Sequence, residues 1–218
     1  MDIAIAGGHG KIALRLARLL TERGDTVRSL IRNPDHAEDI RRTGAEPVPC
    51  DMENATVEEV AERIAGADAA VFAAGAGPGS GAARKDTVDR AASVLLADAS
   101  ERAGVRTFLQ ISAMGVDNPP DPARGEVWAA YIRAKKAAED DLKARDALDW
   151  LILRPGRLTD DPGTGRVRLA PPYVGHEAVT RDDVAAVTAA LLHTPGVRRR
   201  VLELIGGDTP IDEAVAAL

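Results

Sequence analysis

The sequence predicts an α/β protein in which a parallel sheet is covered by helices on both faces. Short apolar segments with strand character alternate with longer segments of helical periodicity, and this alternation recurs six times along the chain. The first segment runs through a cluster of glycines straight into a helix. Only 3% of the residues are aromatic although 45% are apolar, so Ala, Val, Leu and Ile must fill the core.

Length, charge and cysteine content limit the classes of function. The 218 residues suit a single domain spanning positions 1–218, and the net charge of −6, without a basic stripe, predicts no nucleic-acid partner. Cys50 is the only cysteine, which predicts a reducing compartment and no disulfide framework. No apolar run is long enough to span a bilayer, so we expect no membrane contact and a cytoplasmic location.

The first thirteen residues organise the prediction. Residues 3–6 form a short buried strand, Gly7, Gly8 and Gly10 make a tight turn, and residues 12–20 follow with helical spacing. In the pattern Gly7-x-x-Gly10-x-x-Ala13, Gly10 would let backbone approach a pyrophosphate at the positive end of the helix, with His9 a spacer beside the phosphates. The alternative is a plain strand–helix turn with no ligand.

The second strand, residues 26–32, ends at Arg32, directly before Asn33-Pro34. In a dinucleotide-binding sheet this position lies beside the adenosine ribose, where an acid binds the 2′-hydroxyl and an arginine binds a 2′-phosphate. Arg32 follows Gly10 by 22 positions, close to the spacing of about 20 that such sheets show. We therefore predict NADP over NAD; the alternative is a solvated arginine at a strand end.

The middle of the chain continues the alternation. We predict a helix over 35–43, a strand over 46–50, a helix over 56–65, a strand over 69–74, a helix over 84–103 ending at Gly104, and a strand over 106–111. Asp51 ends the third strand and could accept from the adenine amino group or cap a helix. The glycine-dense loop 75–81 lies on the ligand side, and its part 77–81 is expected to be mobile, as a lid.

The C-terminal third contains two further strands of the predicted sheet. A helix over 126–145 precedes a sixth strand at 151–153, and a seventh is expected at 201–204. Between them, residues 157–179 are predicted to be irregular, with a short strand at 166–169, before Thr180 caps a helix that runs to His193. A final helix covers 210–218. His36, His176 and His193 lack partners at metal-ligand spacing, so no metal is predicted.

The candidate catalytic residues are Ser112, Tyr131 and Lys135. Tyr131 and Lys135 are four apart on one helix and share a face, and a lysine beside a tyrosine hydroxyl lowers its pKa. Ser112 follows the fifth strand, where a hydroxyl could hold a substrate carbonyl. The alternative is a surface helix on which Tyr131 packs its ring and Lys135 pairs with Glu139. Trp128 could wall the substrate site or belong to the core.

Together these motifs resemble an atypical short-chain dehydrogenase/reductase, of the NAD(P)-binding, NmrA-like branch that includes sugar-epimerase-like proteins. The resemblance also draws on Arg154-Pro-Gly-Arg-Leu158 and covers essentially the whole chain. It implies a Rossmann-type doubly wound sheet in the order 3-2-1-4-5-6-7, with a small C-terminal segment on the substrate side, and NADP(H) as cofactor. Active members place an asparagine where this chain has Asp89, which alters the usual proton relay.

Carried over residue by residue, the resemblance implies cofactor contacts from the carboxyl edge of the sheet. The implied contacts are Gly7, Gly8, His9, Gly10, Lys11, Ile12, Arg32, Asn33, Asp51, Met52, Ala73, Ala74, Gly75, Ile111, Ser112, Lys135, Pro155, Gly156 and Arg157. The expected function is an NADP(H)-dependent oxidoreductase that transfers hydride to or from a small carbonyl, quinone or flavin-like acceptor. The alternatives are a non-catalytic NADP(H)-sensing protein and an NAD(P)-dependent epimerase. The expected partner is a small-molecule substrate, and both monomer and homodimer remain open.

Overall fold

A computed structural model of the chain describes residues 1–77, 79–175 and 177–218. Its strands are β1 (Asp2–Ala6), β2 (Thr26–Ile31), β3 (Glu46–Pro49), β4 (Ala69–Phe72), β5 (Thr107–Ile111), β6 (Asp149–Pro155), β7 (Arg157–Thr159), β8 (Arg166–Ala170), β9 (Ala178–Thr180), β10 (Arg200–Gly206) and β11 (Thr209–Pro210). The loop prediction at Pro78 and the metal-partner prediction for His176 fall outside the described residues.

The helices are α1 (Lys11–Glu22), α2 (Ala37–Arg41), α3 (Val57–Ile64), α4 (Ala82–Arg84), α5 (Ala92–Ala103), α6 (Gly125–Lys143), α7 (Arg181–Leu192) and α8 (Ile211–Ala216). A π-helical segment, Lys85–Ala91, joins α4 to α5, and a 3₁₀ turn, Pro34–His36, precedes α2. None of the described helices combines the length and the apolar composition that crossing a bilayer requires.

The central sheet has nine strands in the order β11-β8-β10-β6-β5-β4-β1-β2-β3. Seven of them, from β3 to β10, pair in parallel in the predicted order, so the Rossmann-type fold is confirmed. Beyond β10, the sheet adds the antiparallel strand β8, which the short β11 extends. The predicted strand at 166–169 is therefore confirmed as β8, which lies between β10 and the two-residue edge strand β11.

The prediction that 157–179 is irregular is wrong. β7 and β9 pair in parallel as a separate two-stranded sheet, and β8 alternates exposed arginines with buried Val167 and Leu169. An alternating pattern of this kind is that of a strand buried on one face, and α8 packs against it. Residues 157–159 and 178–180 are short and far apart in sequence, so their pairing leaves no local signal.

The predicted helix over 84–103 begins two residues earlier and contains the π-helical segment. Within that segment, Lys85 and Asp89 are both buried, four positions apart. A π-helix inserts one residue into an α-helix and often marks a functional site. The predicted helix over 35–43 divides into the 3₁₀ turn and α2, because Asn33 and Pro34 set the start of the turn.

The sheet separates two hydrophobic layers, because successive side chains of a strand point to opposite faces. In β1, Ile3 and Ile5 pack with α1 and α7, whereas Ala4 and Ala6 pack with α3 and α5. The parallel strands end at one edge of the sheet, where loops are exposed. That edge carries the residues following β1, β2, β4, β5 and β6, which are the segments predicted to bind the cofactor.

Candidate cofactor and active site

Two adjoining cavities lie along the carboxyl edge of the sheet. The larger, of about 1380 Å³, extends from α1 to α6, and the smaller, of about 320 Å³, lies between the ends of β1, β2 and β3. Both are lined by Ala73, Ala74 and Gly75, which follow β4, so together they form one continuous groove. A groove of this shape can hold the two halves of a dinucleotide on either side of the β4 loop.

The glycine turn packs tightly between β2 and β4. Gly7 has a φ of 78°, and a Cβ placed on it would lie 2.6 Å from Cα of Ala74. A Cβ on Gly8 would lie 2.6 Å from Cβ of Ser29. The Gly10 amide donates to the Gly7 carbonyl at 2.8 Å, and no described side chain caps the first turn of α1. The amides there are free for an anion, so the turn fits a pyrophosphate.

The side chains of the glycine turn contact other parts of the protein. His9 pairs with Asp39 at 2.9 Å and stacks on His36 with ring centroids 3.6 Å apart. The Lys11 ammonium donates to Asp160 at 2.5 Å. Ile12, in contrast, lines the larger cavity. The turn therefore presents mainly backbone to the groove.

The smaller cavity collects residues predicted to contact the pyrophosphate and the adenosine with its 2′-phosphate. It is lined by Gly7, Gly8, His9, Gly10, Arg32, Asn33, Asp51 and Met52. The Arg32 guanidinium donates to the carboxylate of Glu53 at 2.7 Å, and Arg84 donates to the same oxygen at 2.8 Å. Glu53 and Arg84 were not predicted, because they come from the β3 loop and from α4 and meet Arg32 only in the folded chain.

Asp51 does not cap α3. Its carboxylate accepts from the Asn54 side chain at 2.7 Å and from the Glu53 amide at 3.2 Å, which closes the turn after β3. Thr56 caps α3 instead, and Glu59 completes a capping box. Asn33 likewise serves its own turn, since its side chain accepts from the Asp35 amide at 3.1 Å.

The larger cavity brings together Ser112, Tyr131 and Lys135, as predicted, and adds Lys85 and Asp89. The Lys135 ammonium lies 3.4 Å from Oδ1 of Asp89 and donates to the Ile111 carbonyl at 3.3 Å. The alternative pairing of Lys135 with Glu139 does not occur. The Lys85 ammonium donates to the Gly77 carbonyl at 2.9 Å and lies 5.5 Å from the centre of the Tyr131 ring.

The pKa of Tyr131 differs from the sequence-based expectation. Burial raises the pKa of the Tyr131 phenol, and the negative charge of Asp89 raises it further. Burial also lowers the pKa of the Lys135 ammonium, which Asp89 partly restores. The predicted lowering of the Tyr131 pKa is therefore not found in this conformation, because burial and the Asp89 carboxylate both disfavour the phenolate.

Ser112 is held by a buried acid. Its hydroxyl donates to Oε1 of Glu139 at 2.7 Å, and the Arg154 guanidinium binds the same carboxylate through Nε at 2.9 Å and Nη2 at 2.6 Å. Glu139 and Arg154 are almost fully buried. With its proton directed at Glu139, the Ser112 oxygen can accept a hydrogen bond from a ligand hydroxyl. The Ser112 hydroxyl therefore does not donate to a substrate carbonyl, which was the role expected from the sequence.

The remaining predicted contacts lie around the larger cavity. Ile111, Pro155, Gly156 and Arg157 line it, at the ends of β5 and β6. Trp128 also lines the cavity, with its ring centroid 5.3 Å from that of Tyr131, so its role as a wall of a substrate site stays a prediction. In the part of the chain that the structure describes, no cluster of His, Cys, Asp and Glu is arranged to hold a metal ion.

Comparison with known proteins agrees with this geometry. Residues 7–195 match the family of NAD(P)H-binding proteins. The chain belongs to this family. It is 32% identical to YhfK of Bacillus subtilis, named an uncharacterized sugar epimerase, over the full length of both chains.

Solved structures of similar proteins show the same fold. The oxidoreductase ylbE of Lactococcus lactis is 27% identical with a TM-score of 0.85, covering 100% of this chain and 96% of its own. ChuY, an anaerobillin reductase of Escherichia coli O157:H7, is 25% identical with a TM-score of 0.81, covering 95% and 98%. Proteins similar to this chain are thus named as oxidoreductases and as an epimerase.

Proposed function

We propose that the protein is an NADP(H)-dependent oxidoreductase of the short-chain dehydrogenase/reductase type. The observation that supports this most strongly is that Tyr131, Lys135 and Asp89 line the same groove as the uncapped start of α1. The two cavities then take the two halves of the cofactor, with the nicotinamide beside Tyr131. When bound, the cofactor supplies or accepts the hydride.

The side chains of the larger cavity handle the proton. Tyr131 donates it to the substrate oxygen on reduction, and its raised pKa keeps the phenol protonated until that step. The Lys135 ammonium, 5.9 Å from the centre of the Tyr131 ring, stabilises the charge that appears on the phenol oxygen, whereas its ion-pair partner Asp89, at 3.4 Å, disfavours that charge. Ser112 positions the substrate by accepting from a hydroxyl, since its own proton is engaged by Glu139.

The preference for NADP over NAD rests on Arg32. Its side chain is 56% exposed at the end of β2 and lines the smaller cavity, where we propose that the ribose 2′-position of the cofactor binds. Arginine binds a phosphate with two parallel hydrogen bonds, which a 2′-hydroxyl cannot match. The cofactor we propose is therefore NADP(H).

The substrate class follows from the size of the larger cavity. We expected a small carbonyl, quinone or flavin-like acceptor. The volume of about 1380 Å³ exceeds the range of about 300–1,000 Å³ that is usual for small-molecule sites, so it can hold a multi-ring acceptor beside the nicotinamide. Trp128 and Met114 give it an apolar wall. A related protein is named an anaerobillin reductase, which supports a reductase as the proposed function.

A second candidate is an NADP(H)-sensing protein without turnover. It is favoured by the engagement of Lys135 with Asp89 and of the Ser112 proton with Glu139. Epimerisation, suggested by the name of YhfK, is a third candidate, and it predicts copurified nucleotide without net NADPH consumption.

Turnover separates these functions. NADPH oxidation should be followed with a panel of aldehydes, ketones and quinones of one to three rings, using the wild type and Tyr131→Phe. An oxidoreductase should lose activity by about 10²-fold or more in Tyr131→Phe, while NADPH affinity stays unchanged. Tyr173→Phe, which alters the exposed second tyrosine, is the matched control. A wild type that oxidises NADPH with none of the panel would contradict the oxidoreductase and favour the sensor.

A further inference from the structure

We propose that Arg84 joins Arg32 in binding the 2′-phosphate of NADP(H), and that Glu53 holds both guanidinium groups in place and limits the preference for NADP. This inference rests on the proposed cofactor. It adds two residues to the binding site that neither the sequence motifs nor the family resemblance indicates.

The three side chains come from three separate elements. Arg32 follows β2, Glu53 follows β3, and Arg84 is the last residue of α4. The same oxygen of Glu53, Oε2, accepts from Nη1 of Arg32 at 2.7 Å and from Nη2 of Arg84 at 2.8 Å. The other oxygen, Oε1, accepts from the Thr87 hydroxyl at 2.7 Å. All three charged residues line the smaller cavity.

Arg32, Arg84 and Glu53 together carry a net positive charge that can attract an anion. Two guanidinium groups share one carboxylate, so the group carries a net charge of +1. The Glu53 side chain is only 22% exposed, whereas those of Arg32 and Arg84 are 56% and 42% exposed. The cationic ends therefore face the solvent and the cavity, with the carboxylate behind them. The Arg84 and Thr87 hydrogen bonds hold the pKa of Glu53 below its usual range, so this charge persists at neutral pH.

The donors of the two arginines match a phosphate. Each guanidinium has five N–H donors, and Glu53 engages one nitrogen of each. The remaining donors can bind the oxygens of a phosphomonoester, and fixing the guanidinium groups beforehand lowers the entropic cost of binding. Glu53 would cancel the charge of Arg32 alone, so Arg84 supplies the net positive charge that attracts a 2′-phosphate.

Glu53 is expected to have opposite effects on the affinities for NADPH and NADH. Its carboxylate repels a 2′-phosphate held by the same arginines, because like charges at this distance disfavour each other. An acid at this position can instead accept a hydrogen bond from the 2′-hydroxyl of NADH. Removing the charge should therefore favour NADPH and disfavour NADH.

The test is calorimetric titration with NADPH, NADH, 2′,5′-ADP and ADP. Arg84→Ala should weaken NADPH and 2′,5′-ADP by about tenfold or more while changing NADH and ADP by less than about twofold. Glu53→Gln should strengthen NADPH several-fold and weaken NADH. Arg90→Ala removes an arginine of the following π-helical segment that lies outside both cavities, and it should change the affinity for none of the four ligands. Arg84→Lys should recover part of the loss, since it keeps the charge without the planar fork.

Other outcomes separate this inference from the proposed cofactor. If Arg84→Ala weakens NADPH and NADH equally, Arg84 stacks on the adenine and the inference is wrong. If Arg32→Ala abolishes the NADPH preference but Arg84→Ala leaves it intact, NADP(H) stands and the role of Arg84 is wrong. A wild type without any preference overturns the proposed NADP assignment itself. Thermal unfolding of each variant confirms that it is folded.

Discussion

Oδ1 of Asp89 lies 3.4 Å from Nζ of Lys135, and both side chains are almost fully buried beside Tyr131. Oδ2 of Asp89 accepts from the Ala76 amide at 3.1 Å, which ties the pair to the loop after β4. A Cβ on Gly75 would lie 3.1 Å from Asp89, so the glycine there leaves space for the carboxylate. The Asp89 carboxylate therefore adds a negative charge beside Tyr131, which an isolated tyrosine–lysine pair would lack.

Asp89→Asn should lower the pKa of the Tyr131 phenol, because it removes a negative charge that disfavours the phenolate. The fall is partial, since burial is the larger cause of the raised pKa and persists. The measurement is alkaline titration of phenolate absorbance in a Tyr173→Phe background, where Tyr131 is the single tyrosine. Asp86→Asn, on the exposed side of the same helical segment, is the control. An unchanged or raised pKa in Asp89→Asn would show that the pair does not act on Tyr131.

Glu139→Gln should destabilise the protein by about 3 kcal/mol or more, because the buried Arg154 guanidinium would lose the carboxylate that binds two of its nitrogens. Arg154 would keep only Asp117, at 2.6 Å, and Ser112 would lose its charged acceptor. Denaturant unfolding measures the difference. Glu126→Gln, in an exposed pair with Arg133, should cost at most about 0.5 kcal/mol. Equal costs for the two variants would contradict a structural role for the buried network.

Gly7→Ala should cost more stability than Gly66→Ala, although both glycines have a φ of 78°. The conformation alone costs about 1–2 kcal/mol for a residue with a Cβ. At Gly66 nothing lies within 4 Å of the new atom, whereas at Gly7 it would clash with Ala74. Overpacking adds about 1–3 kcal/mol, so chemical denaturation should separate the variants by that amount. Matching values would mean that the turn is not packed against the end of β4.

Asp117→Asn should make the stability of the protein less sensitive to acid. The Arg154 hydrogen bond holds the pKa of Asp117 below its ordinary value of 3.8. A carboxyl with a lowered pKa in the folded state stabilises it fully above the unfolded pKa and loses that contribution as pH falls toward the folded value. Unfolding midpoints at neutral pH and near pH 3 should therefore differ less in Asp117→Asn than in wild type. The exposed Asp208→Asn should keep the wild-type slope, and an equally steep Asp117→Asn would refute the linkage.

The sequence predicted the fold and the edge of the sheet that holds the site. Short apolar runs such as residues 3–6 become buried strands, and the residue after such a strand lies at the carboxyl edge, so Arg32 and Ser112 could be placed there. The alternation of strands and helices predicted a parallel sheet, and the family resemblance implied the order of its seven parallel strands.

The partners of the site residues could not be predicted, because they depend on side chains that meet from distant elements. Glu53 and Arg84 are 31 positions apart, and Asp89 and Lys135 come from different helices. The π-helical segment that carries Lys85 and Asp89 could not be predicted either, because a single inserted residue barely changes the hydrophobic period of a helix. The hydrogen bond from Ser112 to Glu139 could not be predicted, because the sequence does not distinguish Glu139 from an exposed acid on the surface of its helix.

The central claim is that the groove binds a nicotinamide dinucleotide phosphate, and a parallel calorimetric titration of the wild type with NADPH and NADH tests it most directly. We predict that NADPH binds at least about tenfold more tightly, as one charge-assisted contact to the 2′-phosphate requires. Equal affinities would contradict the NADP assignment, and no measurable binding of either nucleotide would contradict the account of the groove.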